Sequence, residues 1–203
     1  GKEIVLSTGM STLNEIEDAI SIFLSNGITK DMITILHCNT EYPSPYEDIN
    51  LNVISSLKNS LNVKVGYSDH SKGIEVSIAA AALGANMIEK HFTISNNIDG
   101  PDHKASLEPK ELKKMIDSIR NIELALGSNI KEVTKSEKKN ILLVRKSIHL
   151  QKPISKGEKI SRNHLIMLRP GNGISPMETD SIIGKKAVNN LKKGYKLNYS
   201  DFK

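Results

Sequence analysis

The feature that most constrains the fold is a unit that recurs along residues 1–126: a short apolar strand, a polar turn, and a segment with apolar residues at helical spacing. The four predicted strands run from Ile4 to Met10, Ile33 to Cys38, Val63 to Asp69 and Met87 to Thr93. The helices that follow them are predicted to begin near Thr12, Glu47, Gly73 and Pro109. Strand starts spaced about 24 to 30 residues apart are typical of parallel βα units, so the sequence predicts an α/β fold.

Polar residues follow each predicted strand at its carboxyl end, where parallel sheets carry their chemistry. The four clusters are Ser7 with Thr8, His37 to Tyr42, Ser68 to His70, and Glu89 to His91. Because the carboxyl ends of parallel strands lie at one edge of a sheet, we expect all four clusters to line one rim.

The regular pattern ends near Gly127. A lysine-rich stretch over residues 131–139 follows, and then short β-type runs such as Leu142 to Leu150 lie between prolines and glycines. Helical spacing returns only from Thr179 to Ile183. We therefore predict a βα domain over residues 1–130, a linker over 131–146 and a small β-rich domain over 147–203.

Composition excludes several classes of protein. No apolar run approaches the roughly 20 residues of a membrane span. Nothing reads as a signal peptide, and the sole cysteine, Cys38, has no internal disulfide partner. The formal charge of +5 comes from scattered lysines without the aromatic residues of a nucleic-acid platform. We expect a soluble cytoplasmic protein with neither a nucleic acid nor a membrane as partner.

The most informative residues are His70 and His91, which end two neighbouring predicted strands. Imidazoles suit first-row divalent metals, and two protein ligands leave positions open for water and a substrate oxygen. Two histidines on one rim are equally well explained as hydrogen-bonded structural or substrate contacts. The spacing alone leaves both readings open.

Side chains two residues apart on a strand face the same way. Glu89 therefore points into the site with His91, and Ser68 with His70, whereas Asp69 and Lys90 face the opposite side. Glu89 could orient a metal-bound water or act as an acid or base; the alternative is a buried carboxylate paired with a cation. Capping or packing is the expected role of Asp69.

The loops offer weaker candidates. Asp102 lies in a polar loop where it could bind substrate hydroxyls, although an Asx turn explains it as well. The polar segment from His37 to Pro45 has the composition of a sugar-binding loop. Residues 7–9 could bind phosphate or carboxylate, or they could supply a helix cap. Cys38 is expected to be a small buried residue rather than a nucleophile.

Three runs of residues form a specific pattern: Gly-Tyr-Ser-Asp-His-Ser from Gly66, Ile-Glu-Lys-His-Phe-Thr from Ile88 and Gly-Pro-Asp-His from Gly100. These runs closely resemble the sialic acid (N-acetylneuraminate) synthase family, and the chain is NeuB-like in this sense. Further matches are Leu-Ser-Thr-Gly-Met from Leu6, residues 42–45, and Leu-Arg-Pro-Gly-Asn-Gly from Leu168, so the resemblance covers essentially the whole chain.

The resemblance implies the C-terminal half of a TIM (β/α)8 barrel, matching strands five to eight, followed by a small SAF (antifreeze-like, β-clip) domain. In the family, the first half carries phosphoenolpyruvate-binding lysines and an early glutamate. We therefore expect the 203 residues alone to be inactive and poorly stable, unless another copy or another segment completes the sheet.

The activity implied is a transferase reaction that forms a C–C bond. Phosphoenolpyruvate condenses with the open-chain aldehyde of an N-acylated mannosamine-type hexose, giving a nonulosonate and phosphate. The resemblance makes His70 and His91 ligands of a divalent metal, usually Mn²⁺ with Mg²⁺ or Co²⁺ as alternatives, and makes both catalytic together with Glu89. The residues that match substrate-binding positions are Ser7, Thr40, Tyr42, Ser68, Asp102 and Arg169.

The resemblance also implies a homodimer in which Arg169 of the exchanged SAF domain reaches the partner's barrel. The acceptor stays open between N-acetylmannosamine, its phosphate and the diacetamido-trideoxy hexose that leads to legionaminic acid, because Thr40 stands where some members have asparagine. The alternative function is a non-catalytic carbohydrate-binding SAF module on a barrel scaffold. That alternative predicts sugar binding that neither chelators nor His70→Ala would change.

Overall fold

The computed structural model describes residues 2–203, so Gly1 of the first predicted domain lies outside the described residues. The chain divides into two compact units, residues 1–128 and 129–203. Within the described residues, no helix is long and apolar enough to cross a membrane. The predicted linker, residues 131–146, contains two short helices.

The first unit is built on a four-stranded parallel sheet whose strands lie in chain order. Its strands are β1 (Ile4–Ser7), β2 (Ile33–Cys38), β3 (Lys64–Asp69) and β4 (Ile88–Lys90). The parallel α/β fold is confirmed. The first strand ends at Ser7 rather than at the predicted Met10, which adopts a left-handed backbone with φ of 62°. The fourth strand ends at Lys90, so His91 begins the loop beyond it.

Helices follow each strand. They are α1 (Leu13–Ser25), α2 (Tyr46–Ile49), α3 (Asn52–Leu61), α4 (Glu75–Ala82) and α5 (Pro109–Leu126). Thr12 begins α1 as predicted, because a capping box satisfies backbone N–H groups at that end. A helix begins close to Glu47 as predicted, but it is not a single helix: Asn50 takes a left-handed backbone with φ of 50° and separates α2 from α3.

One face of the sheet packs against the helices and forms the main core. Buried side chains on this face include Ile35, Val65 and Tyr67, and they meet Ile16 of α1 and Ile54 of α3. The alternation of faces along each strand leaves the even-numbered residues of β2 and β3 on the other side of the sheet.

Gly66 on β3 allows a close approach on this second face. A Cβ atom there would lie 2.5 Å from Leu36 Cδ2 and 2.7 Å from the carbonyl oxygen of Met87. That same oxygen accepts a hydrogen bond of 2.9 Å from the backbone N–H of Tyr67. Glycine therefore lets Leu36 lie flat on the sheet while β3 and the chain entering β4 remain paired.

The second unit is small and rich in β structure, as predicted. It contains α6 (Lys135–Lys138), α7 (Ile141–Val144), β5 (Ser147–Leu150), β6 (Leu165–Leu168) and α8 (Thr179–Ile182). The strands β5 and β6 pair antiparallel, and isolated bridges such as Ile154 to Leu191 extend the pairing. A separate core surrounds Ile148, Leu150 and Leu197, which are 0% exposed.

The predicted β-type run from Leu142 to Leu150 is half wrong. Its first three residues belong to the helix α7, and only Ser147–Leu150 forms a strand. Leu142, Leu143 and Val144 are 58%, 68% and 53% exposed, so no sheet neighbour covers them. A short apolar run does not distinguish a helical turn from a strand, because such a run is compatible with both.

Candidate active site

A cavity of about 320 Å³ opens at the carboxyl ends of the four strands of the first unit. Its lining residues are Ser7, Gly9, Cys38, Thr40, Tyr42, Ser68, His70, Glu89 and His91. Each of the four predicted clusters contributes to it, so the expected shared rim is present.

His70 is held in a defined tautomer. Its Nδ1–H donates a hydrogen bond of 2.6 Å to the carbonyl oxygen of Asn39, which can only accept. The lone pair of the neutral ring therefore lies on Nε2, which is 3.2 Å from Ser68 Oγ. A backbone carbonyl on one ring nitrogen is the usual way in which proteins orient an imidazole that uses its other nitrogen as a ligand or base.

Ser68 and Glu89 form the next contact along the rim. These residues are directly paired in the register of β3 and β4, and Ser68 Oγ donates a hydrogen bond of 2.7 Å to Glu89 Oε1. The expectation that Ser68 and Glu89 face the cavity with the two histidines is confirmed. Ser68 thus lies between the carboxylate and the His70 ring, and because its hydroxyl has one proton it can donate to Glu89 Oε1 or to His70 Nε2, but not to both at once.

Tyr42 covers the two histidines from the neighbouring loop. Its ring centroid is 4.1 Å from that of His70 and 5.4 Å from that of His91. Desolvation, followed by the nearby charges of Cys38, Asp102 and Glu89, raises the pKa of the Tyr42 phenol. The phenol therefore stays protonated and can donate a hydrogen bond at neutral pH.

The two imidazoles suit joint metal ligation. Their centroids are 5.4 Å apart and their planes meet at 75°. Two rings bound to one ion through metal–nitrogen bonds of about 2.0–2.1 Å have centroids roughly 4.5–6 Å apart. Among residues 2–203 no group of three or more His, Cys, Asp or Glu side chains is placed to hold an ion. Ligation by the two imidazoles alone would leave further positions for water or substrate.

Two predicted site residues do not line the cavity. Asp102 is exposed at the start of a short 3-10 helix, and its side chain makes no capping hydrogen bond, so the Asx alternative is not supported. It is close enough for its charge to influence Tyr42. Arg169 belongs to the second unit, where its Nε donates a hydrogen bond of 2.8 Å to the carbonyl oxygen of Val144.

The loop predicted to bind sugar divides into parts with different roles. Thr40 and Tyr42 line the cavity, but His37 faces the helical layer and donates through Nε2–H to the carbonyl oxygen of Ile49 at 2.8 Å. Asn39 stabilises the turn, because its Oδ1 accepts a hydrogen bond of 2.7 Å from the backbone of Glu41. Cys38 is buried, as expected.

Sequence reasoning missed a buried ion pair behind the site, which we call the outer ion pair. Lys90 Nζ lies 3.1 Å from Asp69 Oδ2, and the two side chains are 2% and 0% exposed. The facing of both residues was predicted, and their contact was not. The signal was available, since opposite charges of the same parity end two adjacent strands.

Comparisons with protein families and with known proteins identify the family of this chain. The NeuB family model matches residues 1–131, and the SAF domain model matches residues 145–203. The chain belongs to the NeuB family. It is 52% identical over 191 residues to N,N'-diacetyllegionaminic acid synthase of Campylobacter jejuni, covering 94% of this chain and 57% of that protein. It is 33% identical over 190 residues to human N-acetylneuraminate-9-phosphate synthase, covering 93% of this chain and 52% of that protein.

Solved structures of NeuB-type proteins share this architecture. The chain is 41% identical to N-acetylneuraminic acid synthetase of Leptospira borgpetersenii, crystallised with citrate, with a TM-score of 0.62 over 68% of this chain and 48% of that one. Spore coat protein SpsE of Bacillus subtilis is 33% identical, with a TM-score of 0.58 over 99% of this chain and 61% of that one. The predicted half-barrel followed by an SAF domain is confirmed. The chain spans little more than half the length of the curated relatives that it matches.

Proposed function

We propose that this chain provides one half of the active site of a nonulosonate synthase. The reaction is the condensation of phosphoenolpyruvate with an N-acylated mannosamine-type hexose, which gives a 2-keto sugar acid and phosphate. Relatives that are 52%, 38% and 33% identical are named as synthases of diacetyllegionaminic acid, pseudaminic acid and N-acetylneuraminate-9-phosphate, and these products are all sugar acids.

The single observation that carries the proposal is the connected set of groups on one rim. His70, with Nδ1–H fixed on a carbonyl, contacts Ser68, which donates to Glu89, while His91 lies 5.4 Å from the His70 ring. A scaffold that only supports a sugar-binding SAF module would not need a carboxylate, a hydroxyl and two imidazoles gathered on the rim of one cavity. The arrangement is typical of a reacting site.

His70 and His91 would hold the divalent ion, with Mn²⁺ first and Mg²⁺ or Co²⁺ as alternatives. When bound, such an ion supplies Lewis-acid polarisation of the sugar aldehyde. Oxygen and nitrogen donors with open positions suit this class of ion.

The remaining groups would bind and orient the substrates. The Glu89 carboxylate, with one oxygen already accepting from Ser68, keeps its second oxygen available to receive a proton or to orient water. Ser7 and Thr40 offer hydroxyls, and the protonated Tyr42 phenol can donate to a sugar oxygen. C3 of phosphoenolpyruvate forms the new bond to the aldehyde carbon, water adds at C2, and phosphate leaves.

Among the possible acceptors we place the diacetamido-trideoxy hexose first. Two of the relatives, 52% and 41% identical, are named N,N'-diacetyllegionaminic acid synthases. Acceptor profiling decides the point: a higher kcat/KM for N-acetylmannosamine or its phosphate would replace this assignment.

A graft tests the function. The 191 matched residues of the Campylobacter jejuni synthase are replaced by the aligned residues of this chain, and phosphate release is measured with phosphoenolpyruvate and each acceptor. We expect turnover that EDTA abolishes and Mn²⁺ restores. His70→Ala and His91→Ala should each lower kcat at least about 100-fold, whereas the control His164→Ala, on the second unit, should not. Turnover that survives both histidine exchanges, or sugar binding without any turnover, would contradict the proposal.

The homodimer with exchanged SAF domains, and the cytoplasm as compartment, belong to the same proposal. If Arg169 completes the cavity of the partner subunit, grafts that carry Arg169→Ala and His91→Ala should each be inactive alone. Mixed dimers of the two should recover about a quarter to a half of the activity, because one intact cavity forms per dimer. Absence of recovery in verified mixed dimers would place Arg169 in its own subunit's site or outside any site.

A further inference from the structure

We propose that the outer ion pair, Asp69 with Lys90, sets the separation of the His70 and His91 rings. Both would then be positioning residues, since they act through the histidines without touching a ligand. What the two imidazoles bind rests on the proposed function, but the positioning itself does not.

The register of the sheet places the outer ion pair directly before the two histidines. Only three residue pairs join β3 to β4, and Asp69 with Lys90 is the last of them. The next residue on each strand is a histidine of the cavity. Because β4 is three residues long and lies at the edge of the sheet, backbone pairing alone is a weak restraint at this end.

The two charges also fix the backbone beyond His70. Asp69 Oδ1 accepts hydrogen bonds from the backbone N–H of Ser71 at 2.8 Å and from its hydroxyl at 2.6 Å. Lys90 donates to the carbonyl oxygen of the same serine. Asp69 and Lys90 thus hold both polar groups of the Ser71 main chain, so His70 lies between two restrained residues.

A third contact ties this network to the helical layer. Ser77 of α4 donates a hydrogen bond of 2.6 Å to Asp69 Oδ2, and Ser71 and Ser77 are both 0% exposed. The strand ends are therefore restrained against the first turn of a helix as well as against each other.

Stability alone does not explain why a charged pair occupies positions 69 and 90. A buried ion pair is often no more stabilising than a well-packed apolar pair of similar volume, because desolvation offsets the attraction between the charges. Lys90 and Asp69 face away from Glu89 and Ser68, so they make no contact in the cavity. What the charged pair provides and an apolar pair would not is a directional link between the ends of two strands, each of which continues into a histidine.

The test is made in the graft into the Campylobacter jejuni synthase, where it compares the chain with the double variant Asp69→Asn/Lys90→Met, in which the net charge and approximate volumes are conserved. Asp69→Asn alone leaves a buried lysine without its counter-ion and could fail to fold, whereas the double variant removes both charges together. The control is Glu3→Gln/Lys64→Met, which removes the exposed ion pair that bridges the opposite end of the same sheet at 3.0 Å. Circular dichroism verifies that each protein is folded.

Two measurements then show whether the outer ion pair sets the separation of the two rings. In the metal-free protein, NMR should show a ring-to-ring NOE between His70 and His91 and a single Nδ1–H tautomer of His70; the double variant should lose both features, and the control should keep them. Mn²⁺ affinity, measured by EPR, should fall about 10- to 100-fold in the double variant only.

The outcomes distinguish this inference from the function on which it builds. An unchanged NOE, tautomer and Mn²⁺ affinity in a folded double variant overturns the positioning role. If the unaltered chain binds no Mn²⁺ but the double variant loses the NOE and the tautomer, the metal assignment fails and the positioning role stands.

Discussion

Replacing Gly66 by alanine should destabilise the first unit through a clash in the middle of the sheet. The new methyl group would lie 2.5 Å from Leu36 Cδ2 and 2.7 Å from the carbonyl oxygen of Met87. Leu36 is 0% exposed and β3 is paired on both sides, so neither neighbour can move without a cost. The displaced carbonyl is also the acceptor of the Tyr67 N–H, so the clash weakens a backbone hydrogen bond between β3 and the chain entering β4.

The change in the free energy of unfolding follows from two destabilising contributions and one stabilising contribution. Overpacking a close-packed core costs about 1–3 kcal/mol, and a weakened backbone hydrogen bond adds roughly 0.5–1.5 kcal/mol. The smaller conformational freedom of alanine in the unfolded chain returns about 0.4–1 kcal/mol. We therefore expect the free energy of unfolding to fall by about 0.5–4 kcal/mol.

Urea unfolding followed by far-ultraviolet circular dichroism measures this change, because the longest helices lie in the first unit. Lys64→Ala is the matched control, since it puts alanine two positions earlier on the same face of β3 and removes only an exposed ion pair, which is worth about 0–1 kcal/mol. A Gly66→Ala protein as stable as the parent would refute the close approach described here.

Three further predictions concern helix capping, pH and completeness of the site. Thr12→Ala should lower stability to urea by about 1 kcal/mol, because Thr12 Oγ1 accepts from the backbone N–H of Glu15 at 3.4 Å, whereas Thr29→Ala, which removes no capping bond, should not. Hydrogen bonds from the Thr12 backbone and then its hydroxyl lower the pKa of Glu15 below its ordinary value of about 4.3. The stabilisation from the Glu15 carboxylate is present above that value and is lost as the pH falls through the folded pKa. Between about pH 5 and 3 the parent should therefore lose more stability than Glu15→Gln. Equal losses would contradict a lowered pKa of Glu15. The 203 residues alone should release no phosphate from phosphoenolpyruvate, since β1 and β4 are unpaired edges of the described sheet beside the cavity, and measurable turnover by this chain alone would refute the half-site.

The residues on the cavity rim could be predicted because strand parity is a strict local rule. Ser68 and His70, and likewise Glu89 and His91, are two positions apart, and although each histidine lies one residue beyond its strand, all four line the cavity as the alternation of faces predicted. The bounds of β2 were also predicted correctly, since Ile33 to Cys38 is a short run dominated by β-branched and apolar residues.

The sequence was a poorer guide wherever a contact across the fold decides the outcome. The break at Asn50 depends on one left-handed residue within an otherwise helical pattern. The helix at Ile141–Val144 has an apolar sequence that fits a strand, but its backbone hydrogen bonds run four residues back along the chain and its side chains are exposed. The tautomer of His70 depends on the carbonyl oxygen of Asn39, 31 residues away in the chain, and no local pattern contains that information.

The two sides of the sheet could be redesigned independently of each other. Acceptor preference could be varied at residues that line the cavity, such as Ser7 or Thr40, because neither contributes to the buried charges behind the rim. Libraries confined to those positions should therefore yield a high share of folded variants. Randomising Asp69 or Lys90 should yield few, even though neither side chain would ever meet a sugar.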